Sequence, residues 1–257
     1  MEVGEPSSKL IGQLMLDEPY AQMNFLICQG ELSLEIMDAF LDGLVRWTGE
    51  KGAFHLLAEV EETQRCFECL CRGGFNAIYR QSIWQVQPAT SPIGHSGVWR
   101  EVMVQDHPVI RSLFKHWIPP IVQVAQPLNG HHFPRFILRD GERVLGFVQM
   151  RRGEGCLLLT PLFDPTLANP LNYLNRLFQF ASFGRKALFI IAPSHQVGLI
   201  SQLETNYPPA IKKQVVVVKY LAVSRRVSNA IPQRLSAKEN RPEPSTPIMP
   251  TENQQKC

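Results

Sequence analysis

LSLEIMDAFLDGLVRW (residues 32–47), AFHLLAEVE (53–61), TQRCFECLCRGGF (63–75) and NAIYRQSIWQV (76–86) follow one another early in the chain, and the same order returns later. PLNYLNRLFQFASF (170–183), ALFIIAPS (187–194), HQVGLISQLETNY (195–207) and IKKQVVVVKYLAV (211–223) repeat it. In each set a helical apolar pattern leads to a short apolar run, then to a second helical stretch and a strand rich in branched residues. Ala53 and Ala187, where the matching apolar runs begin, lie 134 residues apart. That spacing is too long for a solenoid, so the chain reads as two related domains or half-domains.

Working outward, KLIGQLML and MNFLICQ read as short strands around a turn at Asp17, Glu18 and Pro19. Ser33 is placed to cap a helix on which Leu34, Met37, Leu41, Leu44 and Val45 recur at helical spacing. The next helix gathers Cys66, Phe67, Leu70 and Cys71 on one side, and Gly73-Gly74 supplies a left-handed stop. Asp106 is read as the cap of a helix that starts with His107-Pro108 and is broken by Pro119-Pro120. PRFILRDGERVLGFVQMRR (134–152) is the clearest hairpin, its strands joined at Asp140-Gly141, and GCLLLTPLF (155–163) is the strand that follows. These readings divide the chain into an N-terminal domain over 1–86, a linker over 87–97, and a C-terminal domain over 98–226. The segment 227–257 holds five prolines and no apolar cluster, and is expected to be a disordered tail.

Composition narrows the function classes. The net charge is +3 and the basic residues are scattered, which leaves no electrostatic footprint for nucleic acid. No stretch approaches the roughly 18 apolar residues that span a bilayer, and MEVGEPSSK lacks the basic and apolar regions of a signal peptide. A soluble, cytoplasmic protein with no membrane partner is expected. Its 6 cysteines are too few and too uneven for a disulfide framework, so they are read as reduced thiols.

The order of elements over residues 98–226 resembles that of the GNAT superfamily of N-acetyltransferases, and residues 10–86 resemble a shortened copy without the opening helices. Gly74-Phe75 is similar to the pair that closes the family's fourth helix, and QVVVVKYL to its closing strand. The resemblance implies a mixed α/β (α+β) fold: two GNAT-like copies, each a mostly antiparallel mixed sheet flanked by helices, the N-terminal one truncated. It also implies acyl transfer from acetyl-CoA or another acyl-CoA, used as a substrate, to an amine. Pantetheine would then run along Leu159, Thr160 and Pro161, and the phosphates would meet the helix start near Leu167 and Leu171.

The family's glycine-rich phosphate loop has no good counterpart here. ICQGELSLE has one glycine and sets Glu31 and Glu35 at the anion site, while TPLFDPTLANP has none and carries Asp164. The tyrosine that protonates the leaving thiolate is also absent: the matching positions are Leu70 and Gln202. Glu59 is a weak candidate for the base. His195 is another weak candidate, because it follows a strand at the carboxyl edge of the sheet, where α/β folds gather ligands. The rival reading is a noncatalytic GNAT-fold binding or interaction protein. Cys66, Cys69 and Cys71 lack a fourth ligand at zinc spacing, and His131-His132 point to opposite sides of an extended segment, so no metal site is expected.

Overall fold

Ten strands make one continuous sheet in the computed structural model, in the order β1-β2-β3-β10-β4-β9-β8-β7-β6-β5. The structure describes residues 9–17, 20–29, 33–87, 97–123, 128, 133–180 and 187–221. The N-terminal half supplies β1 (Lys9–Asp17), β2 (Tyr20–Gln29), α1 (Leu34–Glu50), β3 (His55–Val60), α2 (Arg65–Arg72) and β4 (Asn76–Val86). The C-terminal half supplies β5 (Val98–Glu101), a turn of 3-10 helix (Val104–Asp106), α3 (His107–Trp117), α4 (Pro120–Gln123), β6 (Phe136–Asp140) and β7 (Arg143–Arg152). It continues with β8 (Cys156–Phe163), α5 (Pro170–Phe180), β9 (Ala187–Pro193), α6 (Val197–Asn206) and β10 (Lys212–Tyr220).

The two halves repeat one plan. β1 and β2 are antiparallel, as are β7 and β8; β3 runs parallel to β2, as β9 does to β8. The last strands then change places: β10 lies between β3 and β4, and β4 lies between β10 and β9. The register keeps the symmetry, since Ala58 pairs with Val217 where its counterpart Ala192 pairs with Ser82. Ser82 and Val217 are thus equivalent, and the same spacing makes Arg80 equivalent to Val215, its own ladder partner. The pseudo-twofold axis therefore passes through the Arg80/Val215 pair.

Strand exchange decides where the cores lie. Alternate residues of a strand face opposite sides, so Leu56, Ala58 and Val60 meet Met37 and Leu41 of α1 and Leu70 of α2, and Val215 and Val217 of β10 complete that cluster. Trp84 and Val86 of β4 in turn complete the cluster that joins β8 and β9 to Leu174, Leu177 and Leu199 of α5 and α6. Ladder parity places all four of these helices on one face. Ile110 and Phe114 of α3 pack against Ile137, Phe147 and Leu162 on the other.

Three local readings need correction, and one strand carries no reading at all. β5 forms although its short sequence carries no period, because it pairs along β6 and the Trp99 indole N–H donates to the Tyr173 carbonyl at 2.7 Å. Asp106 holds the N-cap position of α3 as expected, but its side chain makes no cap bond there: the carboxylate turns back to the Met103 N–H at 2.8 Å and accepts both arms of Arg100 at 2.6 Å. Those bonds hold the Asp106 carboxyl below its ordinary range, the Arg100 hydrogen bond contributing most against the opposing effect of burial. On α2 the inward face is Cys69 and Leu70 with Cys66 and Phe67 half-buried, while Cys71 is exposed. Leu34, in the first turn of α1, is 40% exposed, and Met37 and Leu41 carry the contact instead. Residues 88–96 of the expected linker, the turn at Glu18-Pro19, His131-His132 and the expected tail lie outside the described residues.

Candidate functional site

A sheet of parallel neighbours that part company leaves main-chain groups facing a gap, and this sheet parts twice. β8 and β9 pair from Cys156/Ala187 to Leu159/Ile190 and then separate. β2 and β3 pair from Tyr20/His55 to Met23/Ala58 and then separate, while β2 continues against β1 to Gln29. These two gaps are equivalent under the pseudo-twofold.

Side-chain amides fill the gap in the C-terminal half. The Asp164 N–H donates to Leu145 of the β7 side, so the alternation of a strand turns Phe163, Pro161 and Leu159 toward β9. The Phe163 N–H donates to Gln196 Oε1 at 3.0 Å, and Gln196 Nε2 donates back to the Phe163 carbonyl at 3.5 Å. Pro161 has no N–H to offer. Beyond the last β9 pair, the N–H groups that β8 turns toward this gap are therefore spoken for. Gly146 on β7 makes room for the arrangement, since a Cβ there would stand 2.5 Å from the Phe163 ring.

The start of α5 is filled in the same way. Pro170 lacks an N–H, the Leu171 N–H donates to Gln202 Oε1 at 2.9 Å, and the Asn172 N–H donates to the Asn169 carbonyl at 3.1 Å. Gln202 Nε2 donates in turn to Asn169 Oδ1 at 3.0 Å. Asn169 takes a left-handed φ of 55°, a conformation that asparagine tolerates better than most residues and that the missing glycine would otherwise have supplied. Asp164 folds the preceding loop, accepting from Thr166 N–H and Oγ1 at 2.9 and 2.7 Å and from Arg143 at 2.8 Å. Of the residues expected to hold an acyl-CoA, Leu159 and Leu171 are buried in the core, Pro161 is buried, and Thr160 and Leu167 are half-buried.

The gap in the N-terminal half is arranged differently. Glu59 stands on β3 just past the last β2 pair, and two amides orient its carboxylate: Gln81 Nε2 donates at 3.0 Å and Gln22 Nε2 at 3.3 Å. Gln81, only 4% exposed, belongs to β4 and also donates to Gln214 of β10 at 3.2 Å. Both exchanged strands thus hold Glu59 in place. The neighbouring acids are turned elsewhere, Glu61 to Lys212 at 3.0 Å and Glu62 to Arg80 at 2.6 Å. Glu62 is the counterpart of Gln196 at the 134-residue spacing, so the position that plugs one gap is drawn to solvent in the other.

His195 lies on the same central face, its ring edge-on to Tyr79 with centroids 6.1 Å apart. Both ring nitrogens are buried without a hydrogen-bond partner, and burial lowers its pKa to about 4. It is therefore neutral at pH 7, and it does not join the Glu59 cluster by any direct bond among those observed. Cys69 is buried, and burial raises its thiol pKa. No three His, Cys, Asp or Glu side chains converge as a metal site among the described residues. Sequence reading missed Gln22, Gln81, Gln196 and Gln202, because a neutral amide carries no motif and its role depends on which strand the fold puts beside it. The one available signal was Gln202 at the place of an expected tyrosine.

Comparison with known proteins gives a fold. No protein-family model matches the chain, and no curated protein matches its sequence. Among solved structures, a conserved protein of unknown function from Staphylococcus epidermidis is similar with a TM-score of 0.57 and 8% identity, over 82% of this chain and 95% of that one. A GCN5-related N-acetyltransferase from Kribbella flavida is similar with a TM-score of 0.53 and 12% identity, over 83% of this chain and 90% of that one. At such identities the likeness is one of architecture: the chain has a GNAT-like fold.

Proposed function

We propose, from the premise of a GNAT-like fold, that this protein is an acyl-CoA-dependent N-acyltransferase whose working gap is the one between β2 and β3. The observation that carries the reading is the contrast between the gaps. Gln196 and Gln202 occupy the C-terminal one, whereas β2 from Phe25 to Gln29 is paired on one side only among the described residues, with an oriented carboxylate beside it. A free strand edge suits the extended, amide-bearing pantetheine arm, which can add to it as a further strand would.

Glu59 would take a proton from the acceptor amine, whose nitrogen lone pair attacks the thioester carbonyl. The C–N bond forms as the C–S bond breaks, and the leaving thiolate takes up a proton. The start of α1 adds little hold on the phosphates, because Ser33 Oγ already accepts the Ile36 N–H at 3.3 Å and Glu35 sits in the first turn. Affinity for the acyl donor is therefore expected to rest on the pantetheine and to be modest.

A second reading is favoured by Gln196 and Gln202 themselves: a fold that fills its own donor groove serves as a noncatalytic binding scaffold. Thermal melting with millimolar acetyl-CoA, coenzyme A or neither separates the two, since a ligand of the folded state raises the melting temperature. A rise with acetyl-CoA that survives Gln202→Glu supports the acyltransferase reading at β2/β3. No rise with either compound supports the scaffold.

A further inference from the structure

The packing of α5 and α6 leaves a cavity of about 470 Å³ that the acyl-transfer reading does not use. Its size falls within the roughly 300–1,000 Å³ of small-molecule sites. The walls are amides: Gln87 at the end of β4, Asn169 before α5, Asn175 on α5, and Gln202 and Asn206 on α6, with the Tyr207 ring at one side. No charged side chain lines it among the described residues.

The hydrogen-bond inventory of these amides is only partly spent. Gln202 uses Oε1 on the Leu171 N–H and one Nε2 hydrogen on Asn169, and Asn206 donates to the Gln202 carbonyl at 2.8 Å. Asn175 Oδ1 is buried without any partner, an acceptor whose unmet bond weakens the fold unless something else supplies it. Tyr207 donates to the Gln87 carbonyl at 3.2 Å, which fixes its ring against the cavity. Each amide offers both a donor and an acceptor, so the unspent groups include both kinds.

An anion fits poorly here. Among the described residues the cavity has no cationic side chain, and the first N–H groups of α5 are absent at Pro170 or already bonded at Leu171 and Asn172. A cation would find no carboxylate among the described lining residues. A ligand without charge that carries both donors and acceptors at every edge meets these walls, and hydroxyl groups do so at each oxygen. We propose that the α5–α6 cavity is a binding site for an uncharged polyhydroxylated ligand of sugar or cyclitol type, held by Asn175, Gln202 and Asn206.

Saturation-transfer NMR on the full chain tests this, with glucose, sucrose and myo-inositol as uncharged probes and glucuronate and glucose 6-phosphate as charged ones. The expected result is transfer to at least one uncharged probe and none to the charged pair, with Asn175→Leu and Asn206→Leu each weakening binding about tenfold or more. Asn206→Leu changes an exposed position and leaves the α5 cap intact, so it reports even where Asn175→Leu perturbs folding. Absence of transfer to all three uncharged probes overturns the proposal. Equal transfer to the charged probes, or binding that both variants leave unchanged, also overturns it.

Discussion

Glu59 and His195 show how differently one sheet face can treat two ionisable groups. Glu59 is half-buried, is met by two amide donors, and is the group the proposed chemistry needs. Glu59→Gln removes the proton acceptor while keeping the shape, so acyl transfer, followed as coenzyme A release with polyamines and amino acids as acceptors, should fall about 10²–10⁴-fold. Donor affinity should change little, and an equal loss of affinity would mean that Glu59 holds the donor instead. His195 is a different case: its folded pKa of about 4 lies below the ordinary 6.5 because burial disfavours the charged ring. The unfolded chain binds a proton that the native state refuses. The stability is complete above about pH 6.5 and is lost as pH falls toward 4, amounting to about 2 kcal/mol lost by pH 5. Urea unfolding at pH 7 and pH 5 should show that drop, and His195→Phe should remove most of it.

At the scale of elements, the exchanged strands are what the sequence concealed. Val215 and Val217 sit near the end of the described chain, yet both are 0% exposed within the core of the N-terminal half. Val217→Ala should therefore destabilise the protein by about 2 kcal/mol, and the amides of β3, far away in sequence, should lose hydrogen-exchange protection along with those of β10. Elements of strong period were legible: the helix from Leu34 with its Ser33 cap, the hairpin at Asp140-Gly141, and the strands at 76–86 and 212–220 were all readable from spacing and turn chemistry. β5 was not, since four residues hold no period. Strand order was not legible either, because Val215 and Val217 carry the same apolar pattern whichever half receives them. The amide plugs follow from that order, and so they were hidden with it.

For the whole molecule, a single ten-stranded sheet with its closing strands swapped makes the halves interdependent, and the described residues belong to one compact unit. Both closing strands shape the candidate site of the N-terminal half: Gln81 of β4 donates to Glu59 and also to Gln214 of β10, beside the pseudo-twofold axis. The two equivalent gaps are furnished differently. One gap is closed by its own glutamines, with a neutral amide-lined cavity beside it, and the other keeps a free edge and an oriented carboxylate. The central claim is that the acyl donor lies along β2 rather than β8. Hydrogen exchange read by mass spectrometry, with and without millimolar acetyl-CoA, tests it most directly. The account predicts slower exchange over Phe25–Gln29 and no change over Thr160–Phe163; protection over Thr160–Phe163, or none in either strand, would contradict it.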